Sequence, residues 1–281
     1  MKPSHIVLML CIAAIWGFSF VATRVALEVF TPIQMAFARS VLTLILLLPW
    51  WQPFESISWR LTLAALTIGT FSFYLLYRAV SITESLTTVA IATQLLPAIS
   101  AVVALLLYRE RVSPRKWTGI LIATAGALYL ASAADSSLST AALGLTVLGV
   151  LCYSAGSVII GKSEAVSVWR MLAWISALSL PPLGLMAAAS GPLYPEPGVF
   201  QAQHWLAIMF VVMFSGLAGQ AVLLKLYRIH PVADVAPWLL FIPLFAGLSS
   251  ILVFDETISL GLFIGGAIVV FGVWVQQSSN R

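Results

Sequence analysis

Charge is what this sequence has least of. Lys, Arg, Asp and Glu make up 9% of its 281 residues, and 61% are hydrophobic. A soluble domain averages about 25% charged and about 45–50% apolar residues. One water-exposed core of this size cannot hide so many apolar side chains, so a lipid bilayer is the expected solvent. No polar stretch is long enough to build a separate soluble domain. Cysteine is scarce too. Cys11 and Cys152 both sit in apolar runs, which argues against a disulfide scaffold or a zinc site. His5, His204 and His230 lie far apart near the ends of apolar segments and supply no HExxH metal pair. The absence of a P-loop argues against ATP-driven transport by this chain alone. No cofactor is expected.

The apolar sequence is organised in blocks. Lys2 precedes an apolar run from Ile6 to Ile15 that continues to Val21 with no small-residue cleavage site, so it reads as a membrane helix rather than a signal peptide. A spanning helix needs about 20 predominantly apolar residues. Cutting at charges, prolines and polar clusters predicts ten spans: 5–26, 32–51, 60–79, 85–108, 115–133, 141–161, 168–189, 204–224, 234–254 and 258–276. Connections are short except for Ser190 to Gln203, which carries "SGPLYPEPG".

Charge then sets direction. With the N-terminus in the cytoplasm, the cytoplasmic side holds Lys2, Arg60, Arg109, Arg111, Arg115, Lys116, Lys162, Arg170, Lys225, Arg228 and Arg281, which is 11 of the 14 basic residues. Arg24 and Arg78 lie outside, and Arg39 lies within the second span. The positive-inside rule therefore places both termini in the cytoplasm, with a bacterial inner membrane as the natural home.

The two halves repeat. "LLYRERVSPRKWTG" (106–119) and "LVFDETISLGLFIG" (252–265) are the same element shifted by 146 residues. That shift lays Pro97 on Pro243, Glu110 on Glu256, Gly119 on Gly265 and Gly126 on Gly272. Upstream a shift of 150 lays Tyr77-Arg78 on Tyr227-Arg228 and Glu84 on Asp234. Five spans per copy is odd, so the second copy enters the membrane from the opposite side. The first break is basic and the second keeps no Lys or Arg between Phe254 and Gly265, as that inversion requires. The expected fold is all-α and integral to the membrane, with ten transmembrane helices as two inverted-topology five-helix repeats, 1–134 and 135–281. Inverted repeats are characteristic of secondary transporters, whose halves rock around a midplane site. An old duplication without a transport role is the plainer alternative.

The residues resemble the EamA-type branch of the drug/metabolite transporter superfamily. "AIWGFSFVATRVA" (14–26) resembles the Trp-Gly opening of its first helix. "TPIQMAFARSVL" (31–42) resembles the Pro-then-Arg start of its second. "ATQLLPAISAVVALLLYRERVSPRKWTGILIATAGALYL" (92–130) resembles its Pro…Glu-Arg…Gly…Gly hairpin, and "FIPLFAGLSSILVFDETISLGLFIGGAIVVFGV" (241–273) is the second copy. That copy departs from the pattern at Asp255 and Thr257 and has no second Trp-Gly. The resemblance implies a central cavity lined by helices 1, 3, 4, 6, 8 and 9. It also implies export of amino acids or other small metabolites, with no nucleic-acid partner. The near-absence of basic residues in the spans argues against the anionic cargoes of the sugar-phosphate carriers.

Polar and aromatic groups at depth are the candidate substrate contacts. Gln94 and Gln220 are the deepest glutamines, and an amide both donates and accepts. The bland alternative is a helix–helix hydrogen bond. Trp16, Tyr74, Tyr77, Tyr153, Trp238 and Phe241 are the deep aromatics on the implied cavity helices, weighed against packing or interfacial anchoring. Pro97 and Pro243, each thirteen residues before its Glu, are the expected hinges. Arg39 is expected to be a structural charge, snorkelling or paired with Glu28 or Glu84. Glu84 and Asp234 are candidate gate charges or, more plainly, solvated helix starts. The Gly pairs 119/126 and 265/272 are expected to pack helices, with 5 and 10 as the candidate pair. A lipophilic-cation exporter of the same fold is the alternative function. An intramembrane enzyme is the remoter one: "MFSGLAG" (213–219) sets a Ser beside a Gly but lacks its preceding Gly and a mid-depth His.

Overall fold

The computed structural model describes residues 3–51, 58–109, 113–132, 137–161, 167–192, 195, 198–229, 236–257 and 259–277. Regular structure among the described residues is helical throughout. Helix α1 is Pro3–Ala26 and α2 is Pro32–Leu47. α2 starts where the sequence says it must. Thr31 and Gln34 form a reciprocal capping box, with the Gln34 N–H on Thr31 Oγ1 and the Thr31 N–H on Gln34 Oε1 at 2.8 Å. α3, Trp59–Ile82, is capped by Ser58 and carries a π segment at Ala65–Ser72. α4, Leu86–Tyr108, is capped by Ser85 and broken at Gln94 and Leu95. α5 is Pro114–Ser132, α6 Ser137–Gly161 and α7 Val168–Ser190. α8 runs from Ala202–Met209 through a π segment, Phe210–Ala218, into Gly219–Ile229. α9, Ile242–Phe254, is entered through a 3₁₀ stretch at Ala236–Phe241, where the hydropathy pattern had predicted α-helix from 234. α10 is Leu260–Gln277.

Seven of these helices (α1, α2 with its 3₁₀ extension, α3, α4, α6, α7 and α8) are long and apolar enough to cross a membrane. Trp238–Phe254 and Leu260–Gln276 are shorter apolar helices. The surface is the reverse of a soluble protein's. Leu252 is 83% exposed and Leu106 74%, whereas Thr70, Thr146, Ser154 and Ser179 are fully buried. Lipid can solvate leucine but offers no hydrogen bond, so the polar groups turn inward. The protein is a multi-pass, all-helical membrane protein.

Helix pairing follows close backbone contact. α5 lies along α10, α2 along α7, α1 along α9 and α8, and α6 along α4 and α3. The α5–α10 seam is built on glycine. A Cβ on Gly119 would sit 2.6 Å from the Gly272 carbonyl oxygen, and one on Gly272 would sit 2.3 Å from the Ala123 nitrogen. Small residues let backbones approach where burial of apolar surface supplies no driving force.

The π segments in α3 and α8 each offer a carbonyl to a neighbouring helix. Ser179 Oγ of α7 donates to the Ala65 carbonyl at 2.9 Å, and Trp16 Nε1 of α1 donates to the Ser215 carbonyl at 2.9 Å. α4 and α9 end alike. Arg109 (φ 53°) and Asp255 (φ 52°) are the two non-glycine residues with positive φ among the described residues. Each donates its N–H to the carbonyl four residues back, on Leu105 and Ile251, a left-handed helix cap.

Candidate functional site

The helices enclose a cavity of about 700 Å³ that draws on both halves of the chain. Pocket-sized sites fall in the range of about 300–1,000 Å³. Of the residues singled out by sequence, Trp16, Tyr77, Gln94, Pro97, Tyr153 and Gln220 line it. Tyr74, Trp238 and Phe241 do not. Tyr74 packs against the cluster around Ile33 and Met35. Trp238 packs beside Leu223 and Leu226 and stacks on Phe241, which is 40% exposed. Pro243 is buried away from the wall. Glu84 is exposed just before α4, and Asp234 lies outside the described residues.

Pro97 sits where its chemistry fits. Gln94 and Leu95 close short turns onto the Ile91 and Ala92 carbonyls, and Leu95 caps the second half of α4. Pro97 is then in the first turn of a helix, where its missing N–H costs nothing. Pro243 holds the same place in α9, after Phe241 as cap.

Arg39 overturns an expectation. Glu28 is in hydrogen-bond contact with His204, Nε2 to Oε2 at 3.2 Å, and not with Arg39. Arg39 instead lines the cavity, its guanidinium carbon 3.5 Å from the centre of the Phe73 ring. It shares the cavity wall with Tyr77 and Tyr153. The wall also includes Lys116, so the cavity is not free of basic groups. No Asp or Glu is among its described lining residues.

α2 and α7 contribute wall as well, which the resemblance did not imply: Ser40 and Thr43 from one, Ile175 and Ser176 from the other. Further polar groups come from Ser19, Ser72, Ser215 and Gln276. Gln276 Nε2 donates to the Pro97 carbonyl at 2.9 Å, tying α10 to the bend in α4. Its buried Oε1 has no partner. These residues gave little sequence signal. Ser and Thr can bond to their own helix backbone, and a Gln in a last turn reads as solvated.

One end of the bundle is laced shut by polar contacts. Gln34 Nε2 donates to the Pro192 carbonyl at 2.7 Å. Arg24 donates to the Val80 and Thr83 carbonyls at 2.6 and 3.1 Å. Glu256 accepts from the Ser85 and Ser250 hydroxyls and from the Leu86 N–H. Chemically, the cavity offers two basic groups, Arg39 and Lys116, several amides and hydroxyls, and aromatic faces. Among the described residues no group of His, Cys, Asp and Glu could hold a metal ion.

Known proteins share this architecture. One solved crystal structure of a protein aligns at a TM-score of 0.64 and 16% identity, over 98% of this chain and 96% of that one. At that identity the likeness speaks to the fold. The "Probable amino-acid metabolite efflux pump" of Escherichia coli (strain K12) is 21% identical over 285 residues, covering 98% of this chain and 95% of the relative. The profile of the EamA-like transporter family matches residues 3–132 and again 140–276. With nearly its whole length covered by those two matches, the chain belongs to the EamA-like transporter family.

Proposed function

We propose that this protein is a secondary exporter of amino acids and related small metabolites, working by alternating access. The single observation that carries the reading is the 700 Å³ cavity, bounded by helices from both halves and holding one guanidinium among amides, hydroxyls and aromatic rings. Such a wall suits a small zwitterion with an apolar body. The relative named as an amino-acid metabolite efflux pump supports the same substrate class.

Ten spans in two inverted repeats, 1–134 and 135–281, are the architecture we propose. The helix pairs support it. Exchanging each helix with the one five places on turns α1–α9 into α6–α4 and α1–α8 into α6–α3, and it maps α2–α7 and α5–α10 onto themselves. The left-handed caps at Arg109 and Asp255, 146 residues apart, support the same register. With both termini in the cytoplasm of a bacterial inner membrane, the laced end faces outward. The cavity then reaches toward the cytoplasmic ends of α5 and α10, at Lys116 and Gln276, and the conformation is inward-facing.

A lipophilic-cation exporter is less well served by this wall, because it presents Arg39 and, among its described residues, no carboxylate. Counterflow in proteoliposomes separates the two. Amino acids should exchange saturably and compete with one another, while tetraphenylphosphonium should not compete. Movement of the cation without the amino acids would favour the drug-exporter reading. Hydrolysis of a substrate without solute movement would favour an enzyme.

A further inference from the structure

Resting on the exporter reading, we infer that Arg39 is the anchor for a substrate carboxylate, making this a site for carboxylate-bearing solutes with an apolar or aromatic body. Arg39 is the eighth residue of α2, about 10 Å from its start at a rise of about 1.5 Å per residue. That places it within the candidate membrane-crossing segment Pro32–Trp50, where an ionised side chain is costly and is normally paired. Here no carboxylate among the described residues pairs with it. Its face stacks on Phe73, which leaves the N–H edge of the guanidinium to find another acceptor. A fixed fork of donors matches a carboxylate in bidentate fashion.

The surroundings make room for that partner. Gly216 lines the wall beside Arg39, and a Cβ there would lie 3.8 Å from Arg39 Nη2, in van der Waals contact with the guanidinium. Any larger side chain there would grow into the space beside the guanidinium. Trp16, Phe20, Phe73, Tyr77 and Tyr153 supply aromatic surface for the body of the solute. Because no Asp or Glu is among the described residues of the wall, an ammonium group meets amide and hydroxyl acceptors there, such as Gln94 and Gln220. The site therefore ranks an amino acid above the cationic amide of the same amino acid.

The test uses the full-length protein in proteoliposomes, with phenylalanine and phenylalaninamide as probes, in wild type, Arg39→Gln and Arg39→Lys. The wild type should move the acid in preference to the amide. Arg39→Gln should lower transport of the acid by roughly 10–100-fold and bring the acid-to-amide ratio near one. Arg39→Lys, which keeps the charge without the fork, should recover part of the preference. The ratio is taken within one preparation, so any loss of folded protein cancels. A ratio unchanged in both variants overturns the assignment while leaving the exporter reading intact. If the wild type moves no amino acid, the exporter reading fails instead. Arg39 is then judged by thermal stabilisation with 3-phenylpropionate. Stabilisation lost in Arg39→Gln supports the anchor, and absence of stabilisation in the wild type overturns it.

Discussion

The Glu256 carboxylate, just past the end of α9, is bound by the Ser85 hydroxyl that caps α4. It also takes the Leu86 N–H at 3.1 Å and the Ser250 hydroxyl. One acceptor group thus closes a helix N-terminus and joins two helices at the laced end. Replacing it with Ala leaves a first-turn N–H and two hydroxyls to find other partners.

Glu256→Ala should therefore lower stability by about 1–3 kcal/mol, the usual cost of stranding buried hydrogen-bonding groups. Glu256→Gln keeps one acceptor oxygen and should fall between. Thermal unfolding in detergent reads the order. Equal melting of the wild type and the Ala variant would show that this carboxylate does not hold the two helices together.

The α5–α10 seam gives a paired test. A Cβ on Gly272 would meet the backbone of Ala123, which cannot rotate away. Gly272→Ala should cost about 1–3 kcal/mol, the range seen for overpacking. Gly144 in the middle of α6 has nothing within 4 Å of such a Cβ. Gly144→Ala should be neutral, or stabilising by up to about 1 kcal/mol through helix propensity. Chemical denaturation of both variants in one detergent checks the contrast, which is lost if the two shift alike.

How much of this was legible beforehand depends on which physical signal lipid preserves. The helices were readable because crossing a bilayer demands length and apolarity. The start of α2 was readable as the cut before Pro32, and the capping box of Thr31 and Gln34 is what the structure adds to it. The two left-handed caps fall 146 residues apart, at the register in which Pro97 lies on Pro243. Azimuth was not readable. In a soluble helix the apolar stripe marks the buried face, but here both lipid and core are apolar. Depth on the implied cavity helices nominates Tyr74, Trp238 and Phe241 alongside Trp16, Tyr77 and Tyr153, and the cavity takes the latter three. The same holds for Arg39: its cost in lipid is plain from sequence, but the face of α2 that it occupies is not.

Pro97 tests whether the break in α4 is used. The chain turns at Gln94 and Leu95, and Pro97 restarts the helix beside the cavity. Pro97→Ala restores an N–H that can reach back across the break, favouring a continuous helix. We expect transport to slow several-fold while thermal stability is unchanged or rises. Initial rates in proteoliposomes against melting temperature give the comparison. Unchanged rates at normal expression would mean that the bend is static packing.

Topology is the claim that decides the mechanism. If each half spans the membrane five times, the turn after α4 and the turn after α9 face opposite sides, although they are the same element in sequence. Single cysteines at Ser113 and Thr257 report this directly, and Thr257 is exposed. Cys11 is exposed and must be replaced first, together with Cys152. In intact cells a membrane-impermeant maleimide should label the Thr257→Cys variant and spare Ser113→Cys. Inside-out vesicles should reverse the pattern. Labelling of both from one side would mean that the halves run parallel. Rocking of inverted halves could not then expose one cavity to each side in turn, and the similar caps at Arg109 and Asp255 would record only shared ancestry.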